Sequence, residues 1–172
     1  MLSPKRYFQN DEDLSRVKDV YAQTSWPLKE CKILKFQDSH VSELPNLVKE
    51  SIKLKSRGPG VTVTLIEPEE SLVIMYGGVL LHQLTTGEAW TYPIPHMVRR
   101  FPREVYWYSK DFLEQVTKML NIHRVQGTTL AESESQTKFM ERVGFNFSME
   151  GVLKAYGANK EDYKMWGAVC QK

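Results

Sequence analysis

The chain has 172 residues, 41% apolar and 26% charged, with 23 basic against 21 acidic side chains for a formal net charge of +2. That is the balance of one ordinary globular domain, long enough to bury a core without staples, and its charge offers no footprint for a polyanionic partner such as nucleic acid. The two cysteines, Cys31 and Cys170, form no CxxC pair and join no Cys/His cluster, which argues for reduced thiols and against a structural zinc.

In chain order, residues 1–30 are polar and mixed in charge and read as an N-terminal extension to a domain over residues 31–172. Leu14, Val17 and Tyr21 share a face of a short helix expected from Asp11 to Tyr21, and Tyr7 and Trp26 read as docking groups. Met1 to Arg6 carries no apolar run, so no signal peptide is expected, and no stretch is long and apolar enough to span a bilayer. A cytoplasmic setting fits. Lys32 to Phe36 alternates as a first strand, followed by a helix with Leu44, Leu47, Val48, Ile52 and Leu54 as its apolar stripe and Pro45 in its first turn. Arg57-Gly58-Pro59-Gly60 breaks the chain.

Val61 to Ile66 and Leu72 to Leu84 read as the next strands, separated by a polar turn over Glu67 to Ser71, and Gly77-Gly78 marks an expected bulge or bend. Glu88 to Ile94 is a fourth strand. Pro93, Pro95 and Pro102 then predict an irregular break made basic by Arg99, Arg100 and Arg103. A helix from Pro102 to Leu120 carries Val105, Tyr108, Phe112, Val116, Met119 and Leu120 on one face, and Ile122 to Leu130 is strand-like. Ser133 and Gln136 make a capping box for a helix that Gly144 stops, and Phe145 to Tyr156 and Tyr163 to Cys170 are the final strands. The order β-α-β-β-β-α-β-α-β-β predicts a mixed α/β (α+β) domain. No Walker loop, GxSxG elbow, HExxH or paired carboxylate motif appears.

The run Glu141-Arg142-Val143-Gly144-Phe145, then Met149-Glu150-Gly151-Val152-Leu153 and the late Asp162-Tyr163, resembles the way chains of the GNAT (Gcn5-related N-acetyltransferase) superfamily close their second helix–strand unit. With the element order from Lys32 onward, the resemblance covers about four fifths of the chain and implies a central, mostly antiparallel sheet of about six to seven strands flanked by helices. Gly87-Glu88-Ala89-Trp90, the basic break, and Val105-Tyr106-Trp107-Tyr108 resemble divergent GNAT-like proteins of tailed bacteriophages, some of them internal virion proteins. That narrower resemblance implies a host cytoplasm or virion interior, and a virion or host protein as partner.

The resemblance implies an N-acyltransferase that moves acetyl from acetyl-CoA to the amine of a small molecule, a protein N-terminus or a lysine. It places acyl-CoA in a gap between the fourth and fifth strands, with its phosphates at the start of the following helix. The matching cofactor-binding positions are Met97, Val98, Arg99, Arg100 and Arg103, joined by Ser133 where the family often has an Asn. The segment from His96 to Glu104 lacks the family's glycines, so three arginines stand where a backbone cradle is usual; they also read as a plain solvated basic turn. Met140 occupies the position of the family's proton-donating Tyr, and a thioether cannot donate. Strand alternation puts Glu88, Trp90 and Tyr92 on one face. Glu88 is the candidate base, with Tyr92 and His96 completing the catalytic set and His82, Tyr156 and Tyr163 behind them. The departures motivate the other reading, a GNAT-fold phage component that has lost catalysis.

Overall fold

A computed structural model describes residues 32–42, 44–67, 72–83, 85–143 and 145–170, with the side chains of residues 32–35 left aside. The expected helix from Asp11 to Tyr21, the docking groups Tyr7 and Trp26, Cys31, Leu84, Gly144 and most of the Glu67 to Ser71 turn lie outside the described residues. The elements are β1 (Lys32–Lys35), a 3-10 turn (Asp38–Val41), α1 (Asn46–Ser56), β2 (Gly60–Glu67), β3 (Leu72–Gln83), β4 (Thr86–Pro93), α2 (Pro95–Arg100), α3 (Pro102–Met119), β5 (Arg124–Leu130), α4 (Glu134–Arg142), β6 (Ser148–Leu153) and β7 (Tyr163–Val169).

The strands form one seven-stranded sheet in the order β1-β2-β3-β4-β5-β7-β6. Every pairing is antiparallel except β4 with β5. A parallel pair requires a crossover, and α2 with α3 supplies it. The mixed, mostly antiparallel sheet flanked by helices is therefore present as expected.

Strand alternation sends residues to two cores. Val61, Val63, Val79, Leu81 and Val125 meet Phe112, Leu113 and Val116 of α3. On the opposite face Tyr76 and Trp90 pack with Val41 and Ile52. The Tyr76 hydroxyl donates to the His40 carbonyl, and the His40 Nδ1 lies 2.9 Å from the Thr64 hydroxyl, which ties the 3-10 turn to the sheet. Burial holds the His40 imidazole below its ordinary pKa.

Several expectations are corrected. The break between Pro93 and Pro102 is helical: α2 begins at Pro95, whose missing N–H falls where a helix leaves donors unpaired anyway. Leu47 and Leu54 are 88% and 64% exposed; Leu44, Val48 and Ile52 share the buried ridge at four-residue spacing, and Pro45 is the cap of α1. Gly77 and Gly78 hold regular register with both neighbours, and the shifts fall at Leu65/Ile66 and Leu81/Gln83. A β-carbon on Gly78 would collide with the Val61 carbonyl and crowd the Trp90 indole, so close approach requires glycine there. The strand expected from Phe145 to Tyr156 shortens to β6, bounded by left-handed backbone at Asn146 (φ 56°) and Ala155 (φ 50°).

Candidate functional site

The parallel pairing of β4 and β5 covers Thr86–Arg124, Gly87–Val125 and Glu88–Gln126, and stops there. Both strands continue, β4 to Pro93 and β5 to Leu130, so a gap opens beyond Glu88. The Ile94 N–H donates to the Ile74 carbonyl at 3.0 Å. Alternation back along β4 therefore gives the amides of Glu88, Trp90 and Tyr92 to β3 and points those of Ala89 and Thr91 toward the gap. On β5, the Ala131 N–H donates to the Asp162 carbonyl at 2.8 Å, which leaves the amides of Thr128 and Leu130 facing the gap. The Leu130 N–H is satisfied by the Gln136 side-chain oxygen at 2.8 Å. Gly127 keeps the mouth of the gap open: a β-carbon there would stand 3.3 Å from the Ala89 carbonyl and 3.6 Å from the Met140 methyl.

A cavity of about 710 Å³ fills this gap and is lined from both faces of the sheet. Lys55, Glu88, Trp90 and Tyr92 line it together with Val105, Ser109 and Phe112 of α3 and Phe139 and Met140 of α4. The Trp90 Nε1 and Ser109 hydroxyl are buried without a hydrogen-bond partner among the described residues. Buried polar atoms of this kind cost roughly 1–3 kcal/mol each, and these two line the cavity from opposite faces of the sheet, Trp90 beside Ile52 and Ser109 on α3.

Glu88 sits at the vertex. One carboxylate oxygen lies 2.7 Å from the His82 Nε2 and the other 3.7 Å from the Lys55 Nζ. The Lys55 ammonium also stands 5.4 Å from the centroid of the Trp90 ring. Tyr92 lines the cavity with its ring 6.5 Å from that of Tyr76. His96 is exposed in the first turn of α2 and is not among the lining residues.

Val98 lines the cavity, whereas Met97 is 3% exposed and packs with Leu65, Met75, Val105 and Tyr108. Arg99, Arg100 and Arg103 are exposed and outside the lining, and Arg100 stacks on Phe101 at 5.1 Å. The Val98 N–H donates to the Ile94 carbonyl and the Phe101 N–H to the Met97 carbonyl, each at 2.9 Å. The helical turn thus consumes amides that an open anion-binding loop would present. The Ser133 hydroxyl caps α4, accepting from the Gln136 N–H at 3.4 Å, and Ser135 lines the cavity in its place. Tyr163 is on the lining, while Tyr156 is 63% exposed and meets its ring edge-on at 5.8 Å.

Sequence reasoning missed Lys55, the gap-facing amides and the second role of Gln136. Lys55 had no local signal, because only the packing of α1 on the sheet brings it to Glu88. The amides could have been anticipated once a parallel β4–β5 pair was set beside strand ends of unequal reach. Among the described residues no cluster of His, Cys, Asp or Glu could hold a metal ion, and no helix is long and apolar enough to cross a membrane.

No family model matches the chain, and no curated protein does. Solved structures do. A ribosomal-protein-S5-alanine acetyltransferase from Vibrio fischeri superposes with a TM-score of 0.66 at 12% identity, covering 86% of this chain and 97% of that one. An acetyltransferase of the GNAT family from Bacillus anthracis gives 0.62 at 14% identity, covering 82% and 95%. A spermidine N-acetyltransferase from Vibrio cholerae gives 0.64 at 11% identity, covering 81% and 94%. With the strand order and the opening between β4 and β5, these superpositions give the chain the fold of the GNAT acetyltransferases.

Proposed function

We propose that the chain is an acyl-CoA-dependent N-acyltransferase. The observation that carries this reading is the gap between β4 and β5, a cavity into which both walls turn backbone amides that have no strand partner among the described residues, with a carboxylate at its vertex. The Thr91 and Thr128 amides suit an extended, amide-bearing arm, which would complete the interrupted ladder as an added strand does. The phosphate end fits less well. Without glycines, and with the amides of α2 spent within its own turn, it would be held by the side chains of Arg99, Arg100 and Arg103, joined by the Arg103 and Glu104 N–H groups at the start of α3, where Pro102 has none. Acyl-CoA, when bound, supplies a thioester carbonyl for an amine to attack. Glu88 accepts the proton of that amine, and His82, bonded to the same carboxylate, orients it and leads toward solvent. Met140 offers no proton for the leaving sulfur, so one of the lining hydroxyls, with Tyr163 and Tyr92 as the phenolic candidates, would supply it.

A second reading has its own support: a GNAT-fold protein without catalysis, serving as a phage virion or host-interaction component. Met140 on the cavity wall and the amides used up by α2 favour it. Acetyl-CoA separates the two. A native-state ligand raises apparent stability by about 2.7 kcal/mol at a hundredfold excess over its Kd, so titration calorimetry and thermal unfolding with acetyl-CoA should both respond. Replacing Arg99 and Arg103 by Ala should weaken binding, and Glu88→Gln should slow turnover by about 10²-fold or more without unfolding the protein. No binding at millimolar acetyl-CoA would reject the acyltransferase and leave the second reading.

A further inference from the structure

The acceptor of an acyltransferase must be recognised by what surrounds its base, and the cavity is spare in charge. Among its described lining residues the ionised side chains are Glu88 and Lys55, and they face each other at 3.7 Å. That separation is too long for a good hydrogen bond, so the two attract without locking. Their neighbours are Ile52, Trp90 and Tyr92, which bring apolar and aromatic surface. The second Glu88 oxygen is engaged by His82. A molecule entering here meets one negative and one positive group side by side, with no further carboxylate on the wall.

We infer that the acceptor is an amino-carboxylate, an amine with a carboxylate on a neighbouring carbon as in a free amino acid. The amine is taken by Glu88 and the carboxylate by Lys55. This rests on the acyl-transfer reading of the same cavity. One loose, partly exposed ion pair is exchanged for two charge-assisted contacts, so each charge keeps a counter-charge. A polyamine fares worse: its amine reaches Glu88, but each further ammonium would enter an apolar wall whose single carboxylate is already shared. A peptide N-terminus presents a neutral carbonyl beside its amine, which gives Lys55 a weaker partner than a carboxylate does. Lys55 is therefore the specificity-determining residue.

The full chain is assayed with acetyl-CoA against free amino acids, the matching amino-acid amides, spermidine and short peptides. Amino acids should exceed their amides in kcat/KM by about tenfold or more, the loss of one charge-assisted contact. Lys55→Glu should abolish that preference or reverse it toward spermidine, and Lys55→Arg should restore it. Circular dichroism checks that each variant is folded, and amino-acid binding by thermal shift, with and without the Lys55 substitutions, reads recognition apart from turnover. Spermidine or a peptide as the best acceptor, or a preference unmoved by Lys55→Glu, overturns the inference and leaves the acyl-transfer reading standing. Failure to bind acetyl-CoA together with Lys55-dependent binding of amino acids does the reverse.

Discussion

The two sides of the β4–β5 seam are built on different principles. From β1 to β4 the ladder is continuous and antiparallel, β2 and β3 are buried over most of their length, and helices cover both faces. Beyond the seam, β6 is largely exposed, α4 has no fully buried residue, and polar contacts carry much of the structure. Arg124 pairs with Glu150, Lys154 with Asp162, and the Trp166 Nε1 donates to the Thr129 hydroxyl at 2.8 Å. The first side is held chiefly by area removed from water; on the second, Val125, Trp166 and Ala168 anchor β5 and β7 in the core while specific polar geometry holds the outer edge around α4 and β6. A gap placed between them leaves both intact, because neither side depends on pairing across it beyond Glu88.

The largest test of this contrast compares one deep and one shallow apolar residue. Leu65 is 2% exposed in the first region and Met149 is 53% exposed on β6. Leu65→Ala should cost about 2–5 kcal/mol in urea unfolding, whereas Met149→Ala should stay within about 0.5 kcal/mol of the parent. Equal losses would mean that β6 is buried in solution and that the two sides are alike.

The same contrast governs how much could be read in advance. The first side follows periodicity: Val105, Tyr108, Phe112 and Val116 lie at helical spacing and are buried, and β2 to β4 fall within two residues of their expected ends. Periodicity failed where burial was decided by a neighbour the sequence does not name. Leu47 and Leu54 look like a core stripe, yet α1 lies on the sheet by another ridge. Pro95 looks like a breaker but starts a helix, since a first-turn proline forfeits no bond. At the site, the family resemblance singles out Glu88 and alternation sets it on one face with Tyr92, and both line the cavity, while Lys55 arrives from a separate helix and leaves no trace in local pattern.

A middle-sized effect lies on the seam itself. Gln136 spends its amide oxygen on the Leu130 N–H, the last gap-facing amide of β5. Gln136→Ala removes that partner. Because the bond is exposed to solvent, water compensates in part, and the loss should be about 0.5–1.5 kcal/mol. Hydrogen exchange should accelerate at Leu130 more than at Val125, which lies on the paired stretch. Exchange that quickens equally along β5 would show that the strand responds as a unit and that the open stretch has no separate support.

The smallest effect concerns the turn between β6 and β7, where acid should loosen the polar side before it touches the apolar one. Asp162 accepts from the Lys154 ammonium at 2.6 Å and from the Ala155 N–H at 2.9 Å, and these two bonds hold its carboxyl below the ordinary aspartate pKa. Asn159 does the same for Glu161 through its side-chain amide and backbone N–H. A depressed folded-state pKa stabilises above the unfolded value, and the contribution disappears as pH falls through the folded one. The turn should therefore be intact near neutrality and loosen only below the usual carboxylate range. Ala155 amide exchange measured against pH should show protection falling in that acidic window, with Leu65 unaffected. Asp162→Asn should flatten the profile while leaving the Glu161 half of the turn responsive. A profile unchanged by Asp162→Asn would mean that backbone geometry, such as the left-handed Ala155 and Lys160, holds the turn without the charge.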